Sequence, residues 1–194
     1  MMKKYEGSDA LVLAIPAGGV PVAAAIARGL ALELQVIPVS KALYPWTTES
    51  GFGAVAFDGT EWIDQAAVAT HGLKPEQIDK ALAQARAKVE RRNASLRGGK
   101  PLPELAQKAI IVVDDGIAAG STMRAAIAAL RKHGAKQIVI AVPTAHERAV
   151  QEMRQLADDV VCPDIRGGAR FAVADAYEQW RDLADDEIEV LLRR

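Results

Sequence analysis

One cysteine, Cys162, is all the chain has. An internal disulfide is thereby excluded, and the composition fits a reducing compartment. Cys162 itself reads as a small buried residue at a strand end. No run of about 18 uninterrupted apolar residues occurs, so no membrane-spanning helix is expected. The charged opening MMKKYEGSDA lacks the apolar core of a signal peptide. An excess of one charge is missing too. Against 25 Asp and Glu stand 24 Lys and Arg, leaving −1, which gives no global pull toward nucleic acid or an anionic membrane. The expectation is a cytoplasmic protein with neither partner. The three histidines, His71, His133 and His146, are scattered, without zinc spacing and without a triad to Ser or Cys. A Walker loop is absent, because Gly120 is followed by Ser121 rather than lysine. Internal repeats and low-complexity tracts are absent as well. Asn93-Ala94-Ser95 matches a glycosylation sequon that a cytoplasmic chain does not use.

Apolar residues are plentiful: half of 194 are hydrophobic, enough for one α/β domain with a small appendage. Residues 10–15 form a short apolar run, read as a buried parallel strand. Pro16-Ala17-Gly18-Gly19 stops it, and 20–30 carries Val20, Ala23, Ala24, Ala27 and Leu30 on one helical face. A second strand is expected at 34–39, making a right-handed β-α-β start, with Lys41 directly after it at the ligand crevice. Residues 43–60 are polar and aromatic. Their Gly51-Phe52-Gly53-Ala54-Val55-Ala56 fits a GxGxxA dinucleotide pattern, but no apolar strand precedes it and 52–57 alternates as a strand does. A β-ribbon pairing 53–57 with 61–63, turned by Asp58-Gly59, fits better, and Tyr44, Trp46 and Glu49 lie in the loop before it. Residues 74–96 are the longest helical pattern, opened by Pro75. Ile78, Leu82, Ala85, Val89, Arg92 and Leu96 recur on one stripe, which packs on the sheet or on a second subunit. A homodimer through this helix or the ribbon is one expectation. The helix runs into a basic loop, Arg97-Gly98-Gly99-Lys100-Pro101, read either as a C-cap and linker or as a mobile cover. Further strands are expected at 109–113, 136–142 and 160–162, and helices at 121–132, 147–157 and 185–192.

The chemistry concentrates at residues 108–123, KAIIVVDDGIAAGSTM. A buried strand delivers Asp114 and Asp115 to a sheet edge. A small-residue loop follows, Gly116-Ile117-Ala118-Ala119-Gly120, and then Ser121 and Thr122 open a helix. Strand, loop and helix start form a layout that binds a phosphorylated small molecule. The acids accept from sugar hydroxyls. The loop N–H groups and the positive end of the helix dipole take an anion. Gly116 and Gly120 permit positive φ and close approach, and Ser121 and Thr122 cap the helix or donate to the phosphate. A phosphorelay receiver has a similar acid pair, but it needs a phosphoacceptor acid and a late lysine downstream. Only about 80 residues follow Asp115, and none after Lys136 is lysine.

The stretch resembles the ribose-phosphate loop of the type I phosphoribosyltransferases, and residues 16–23, PAGGVPVA, resemble that family's pyrophosphate turn. The resemblance runs over 11–192. It implies a doubly wound, mostly parallel sheet of about five strands flanked by helices, in one domain with a loop-and-ribbon insertion at 43–63 and a C-terminal hood or tail at 163–194. It implies a Mg²⁺-dependent transferase that uses phosphoribosyl pyrophosphate and a base-like acceptor, with Asp114 and Asp115 catalytic and touching the metal through ligand and water. Residues 116–122 would hold the 5′-phosphate. Ala17, Gly18, Gly19 and Lys41 would hold the pyrophosphate, and Arg97 would close over it. Phe171 would stack on the acceptor ring. Two departures stand out. Relatives carry arginine at position 17 and threonine at 119, and here both are alanine. They open a second reading, a non-catalytic sensor of phosphoribosyl or nucleotide ligands on the same fold.

Overall fold

A computed structural model describes residues 1–168, 170–181 and 183–192. The chain runs β1 (Leu11–Ala14), α1 (Gly19–Leu30), β2 (Glu33–Val36), β3 (Ser40–Leu43), β4 (Gly51–Val55), β5 (Glu61–Ile63), α2 (Gln65–His71) and α3 (Pro75–Arg97). It continues β6 (Ala109–Val113), α4 (Ser121–Lys132), β7 (Gln137–Ala141), β8 (Thr144–His146), α5 (Glu147–Met153), β9 (Asp159–Val161), β10 (Asp164–Arg166) and α6 (Asp185–Leu192). Five strands make a parallel sheet in the order β2-β1-β6-β7-β9.

The strand residues alternate between two cores, as the two-residue period of a strand requires. Leu11, Leu13, Ile110, Val112, Ile138 and Ile140 join one cluster with α4 and α5. Val12, Ala14, Ile111, Val113, Val139 and Ala141 join the other with α1 and Ile188 of α6. Both faces are covered, which is why these strands read as continuous apolar runs. Full burial of a residue such as Ile110 or Ile138 contributes about 1.5–3 kcal/mol.

The expected second strand at 34–39 is cut short. β2 ends at Val36, and the chain turns at Pro38, which has no N–H to continue a ladder. Lys41 therefore sits in β3, a strand of a separate antiparallel sheet β3-β4-β5, and not at the end of a parallel strand. The glycines of the GxGxxA pattern serve this small sheet. A Cβ at Gly51 would lie 2.5 Å from the Ala42 carbonyl oxygen, and one at Gly53 would lie 2.5 Å from that of Trp62. The α3 stripe is used within the chain. Ala81, Leu82, Ala85 and Val89 pack against Ala42, Phe52 and Val55 of the small sheet. A third, two-stranded parallel sheet pairs β8 with β10, and it and α2 have no counterpart in the sequence expectations.

Candidate active site

β1 and β6 are neighbours, with Ala14 opposite Val113. The chain leaves β1 through α1 for β2 on one side and leaves β6 through α4 for β7 on the other. Such a point opens a crevice beyond the strand ends. The turn after β1 and the loop after β6 meet in it. A Cβ on Gly18 would lie 1.7 Å from Asp115 Oδ2, and one on Gly19 would lie 2.6 Å from the Val113 carbonyl oxygen and 2.9 Å from Asp114 Cα. Only residues without side chains let this turn lie against the acids. The Gly19 N–H donates to the Ile15 carbonyl and that of Val20 to Ala17. Among the described residues, no acceptor meets the N–H groups of Ala17 and Gly18. The Pro16–Ala17 peptide is cis.

Asp114 and Asp115 are carried into the crevice by the buried end of β6. The Asp115 N–H donates to Asp114 Oδ1 at 2.9 Å. Burial, and then the charge of Asp115 beside it, raise the Asp114 carboxyl well above the usual carboxylate range. Burial also raises Asp115. Lys41 opposes both shifts from β3, and its Nζ donates to the Glu49 carbonyl at 3.4 Å. Two half-buried acids thus lie near the Lys41 cation, and they hold a proton more tightly than free carboxylates do.

The loop beyond the acids is pinned from below. The Ile117 N–H donates to the Thr144 carbonyl at 3.1 Å, and the His146 N–H donates to that of Ile117 at 2.9 Å. Gly120 has φ of 79° and stands at the N-cap of α4, a conformation that suits glycine. Ala118 and Ala119 are exposed, Ser121 is buried and Thr122 is half-buried. The N–H groups from Ala118 to Met123 meet no acceptor among the described residues. That row of donors, at the start of a twelve-residue helix, is a ready cradle for an anion.

Other expected residues lie around this centre. Arg97 donates to the carbonyls of Val36 and Lys100 at 2.7 and 2.9 Å, and burial lowers its pKa. Gly98, with φ of 58°, caps α3 behind it. Arg97 borders a cavity of about 460 Å³ whose wall includes Phe57, Asn93, Leu102 and His133 but neither Asp114 nor Asp115. Phe171 lies edge-on to His146, centroids 5.8 Å apart. Ala169, part of the tail expected to lead to it, lies outside the described residues.

Two residues that sequence reasoning did not assign to the site reach it. The Arg92 Nη1 donates to the Pro16 carbonyl at 3.0 Å and its Nη2 pairs with Asp185 at 3.3 Å. This brings a guanidinium to the very turn in which position 17 lacks one. Its polar place in an otherwise apolar helix stripe was the available signal. Tyr177 donates its hydroxyl to the Asp115 carbonyl at 2.6 Å, and no periodicity in the tail foretold that contact.

The chain is similar to several known proteins. The "Putative phosphoribosyl transferase Rv0571c" of Mycobacterium tuberculosis is 33% identical over 193 residues, covering 100% of this chain and 43% of the relative. The chain thus spans less than half the length of that curated relative. The crystal structure of TT1426 from Thermus thermophilus superposes with a TM-score of 0.74 at 29% identity, covering 95% of this chain and 87% of that one. The AQ2163 protein from Aquifex aeolicus shares the fold at a TM-score of 0.51 and 10% identity, over 82% and 56% of the two chains. The family described as phosphoribosyl transferase domain matches residues 1–177, and to that family this chain belongs.

Proposed function

We propose that the chain transfers a phosphoribosyl group from phosphoribosyl pyrophosphate to a nitrogen of a base-like acceptor and releases pyrophosphate. The bond from ribose C1 to the pyrophosphate oxygen breaks, and its electron pair leaves with pyrophosphate. The acceptor nitrogen's lone pair forms the new bond, and the nitrogen loses a proton. Positive charge develops on the sugar, so catalysis rests on positioning and on neutralising the leaving group. Asp114 and Asp115 orient the ribose hydroxyls. A half-buried carboxylate with a raised pKa is also suited to take the acceptor's proton. The N–H donors at 118–122, with Ser121 and Thr122, hold the 5′-phosphate. Ala17, Gly18 and Gly19 offer backbone donors to pyrophosphate, with Lys41 as the nearby cation. Arg97 and Phe171 keep their proposed places as outer contacts, toward pyrophosphate and the acceptor ring.

Mg²⁺ suits these acids: Asp114 and Asp115 would hold it through bound ligand and water, since the ion keeps much of its water shell and needs few protein ligands. Among the described residues no group of three or more His, Cys, Asp and Glu could hold a metal without such help. When bound, the ion neutralises charge on pyrophosphate.

The observation that carries the reading is the contact of Gly18 with Asp115, which makes the two loops one crevice. Titration calorimetry with Mg²⁺ and phosphoribosyl pyrophosphate tests it. Micromolar binding is expected for the wild type, with loss in the Asp114→Asn/Asp115→Asn double variant. No binding to a folded wild type would sink the transferase. The second reading, a non-catalytic sensor, draws on Ala17 and Ala119. It predicts binding without pyrophosphate release for any acceptor base.

A further inference from the structure

After β9 the chain turns back over the acid loop. β10 pairs with β8, the strand that pins Ile117. The Thr144 hydroxyl donates to Asp164 Oδ2 at 2.8 Å, and His146 Nε2 lies 3.0 Å from the Gly168 carbonyl oxygen. Val173 then presses on Gly116 so closely that a Cβ there would lie 2.7 Å from its Cγ1. Four residues on, Tyr177 reaches the Asp115 carbonyl, with its ring edge-on to Trp180 at 5.2 Å. The tail is a strap across the Asp115–Gly116 peptide.

We propose that Tyr177 is a positioning residue of this site, whose hydroxyl locks the Asp115–Gly116 peptide and thereby sets the Asp115 carboxylate for its ligand. This rests on the reading of the crevice as a phosphoribosyl site. The two ends of that peptide act together. Its carbonyl accepts from Tyr177, and Val173 packs on its Gly116 end. A hydrogen bond at the carbonyl polarises the N–H of the same peptide and strengthens it as a donor. Burial, with Asp115 and Asp114 beneath, pushes the phenol up to about 12, so Tyr177 remains a donor at any working pH. The titratable groups facing one another here are Asp114, Asp115, Lys41 and Tyr177.

Tyr177→Phe removes the hydroxyl and keeps the ring. Mg²⁺ and phosphoribosyl pyrophosphate are titrated calorimetrically into both proteins at neutral pH. The variant is expected to bind about three- to tenfold more weakly. A merely structural tyrosine would lower Tm and leave the affinity of the folded protein in place. Equal affinity overturns the proposal. Val173→Ala loosens the strap but keeps the hydroxyl, and the same loss of affinity in that variant overturns it too. If the wild type binds nothing, the transferase reading falls, and the Gly116 amide resonance still decides on Tyr177. It should move in Tyr177→Phe without ligand, and an unmoved resonance overturns the proposal.

Discussion

Gly18 and Gly19 adjoin in the chain, yet they face different neighbours. Alanine at 18 would put its Cβ into the Asp115 carboxylate, whereas alanine at 19 would meet main chain at Val113 and Asp114. A side chain can rotate away, and a sheet strand cannot. Gly18→Ala is therefore expected to reduce phosphoribosyl pyrophosphate affinity at least about tenfold, one hydrogen bond to a charged group being worth about 1.5–3 kcal/mol, with little change in Tm. Gly19→Ala should destabilise the fold by about 1–3 kcal/mol, as overpacking does. Calorimetric binding and thermal melts on the two variants separate the effects, and the reverse assignment would show that the turn does not lie on Asp115. Of these residues the glycine pair was legible as a motif. What each glycine touches was not, because the contacts cross about 95 residues of chain.

Among the elements, α3 shows most plainly how a pattern leaves its partner open. Its stripe announced a buried face, but its hydrophobic periodicity suited a sheet or a second subunit equally well. The face is filled from within, by β3 and β4. Leu82→Ala, at a position 7% exposed, should cost about 2–4 kcal/mol. The loss should be local, since this cluster is separate from the two that flank the central sheet. Hydrogen exchange is expected to speed up through 40–63 before it does in β1 or β6. Uniform acceleration everywhere would show that the small sheet and the central sheet open as one unit. The ribbon was legible from 61–63 and its Asp58-Gly59 turn. Its third strand was not, because Pro38 ends β2 just where the apolar run continues.

For the whole molecule, the acid pair ties stability to pH. Asp114 binds its proton more tightly when folded than when unfolded. Its contribution is therefore most favourable below the ordinary aspartate value of about 3.9. It declines as pH rises from there toward the raised folded value. Asp114→Asn abolishes this decline. Its Tm should match the wild type near pH 4 and exceed it increasingly toward neutral pH, by about 2–4 °C for each kcal/mol in a protein of this size. Thermal melts over that range check the sign, and a variant less stable at neutral pH would mean that Asp114 is stabilised as its anion. Ionised, the pair opposes folding, and the positive charge of bound Mg²⁺ would relieve it.

The sequence by itself determined the parallel α/β class, the acid pair at a strand end and the glycine loop at a helix start. Those features depend on side-chain period, on φ freedom and on residues adjacent in the chain. Only the tertiary structure decided that the turn at 16–19 lies on Asp115, that Lys41 approaches from a second sheet, and that Arg92 and Tyr177 close on the loops. These contacts join residues about 60 to 100 positions apart, and none leaves a periodic mark. They arise because the strand order reverses between β1 and β6, which brings loops from distant parts of the chain to one edge.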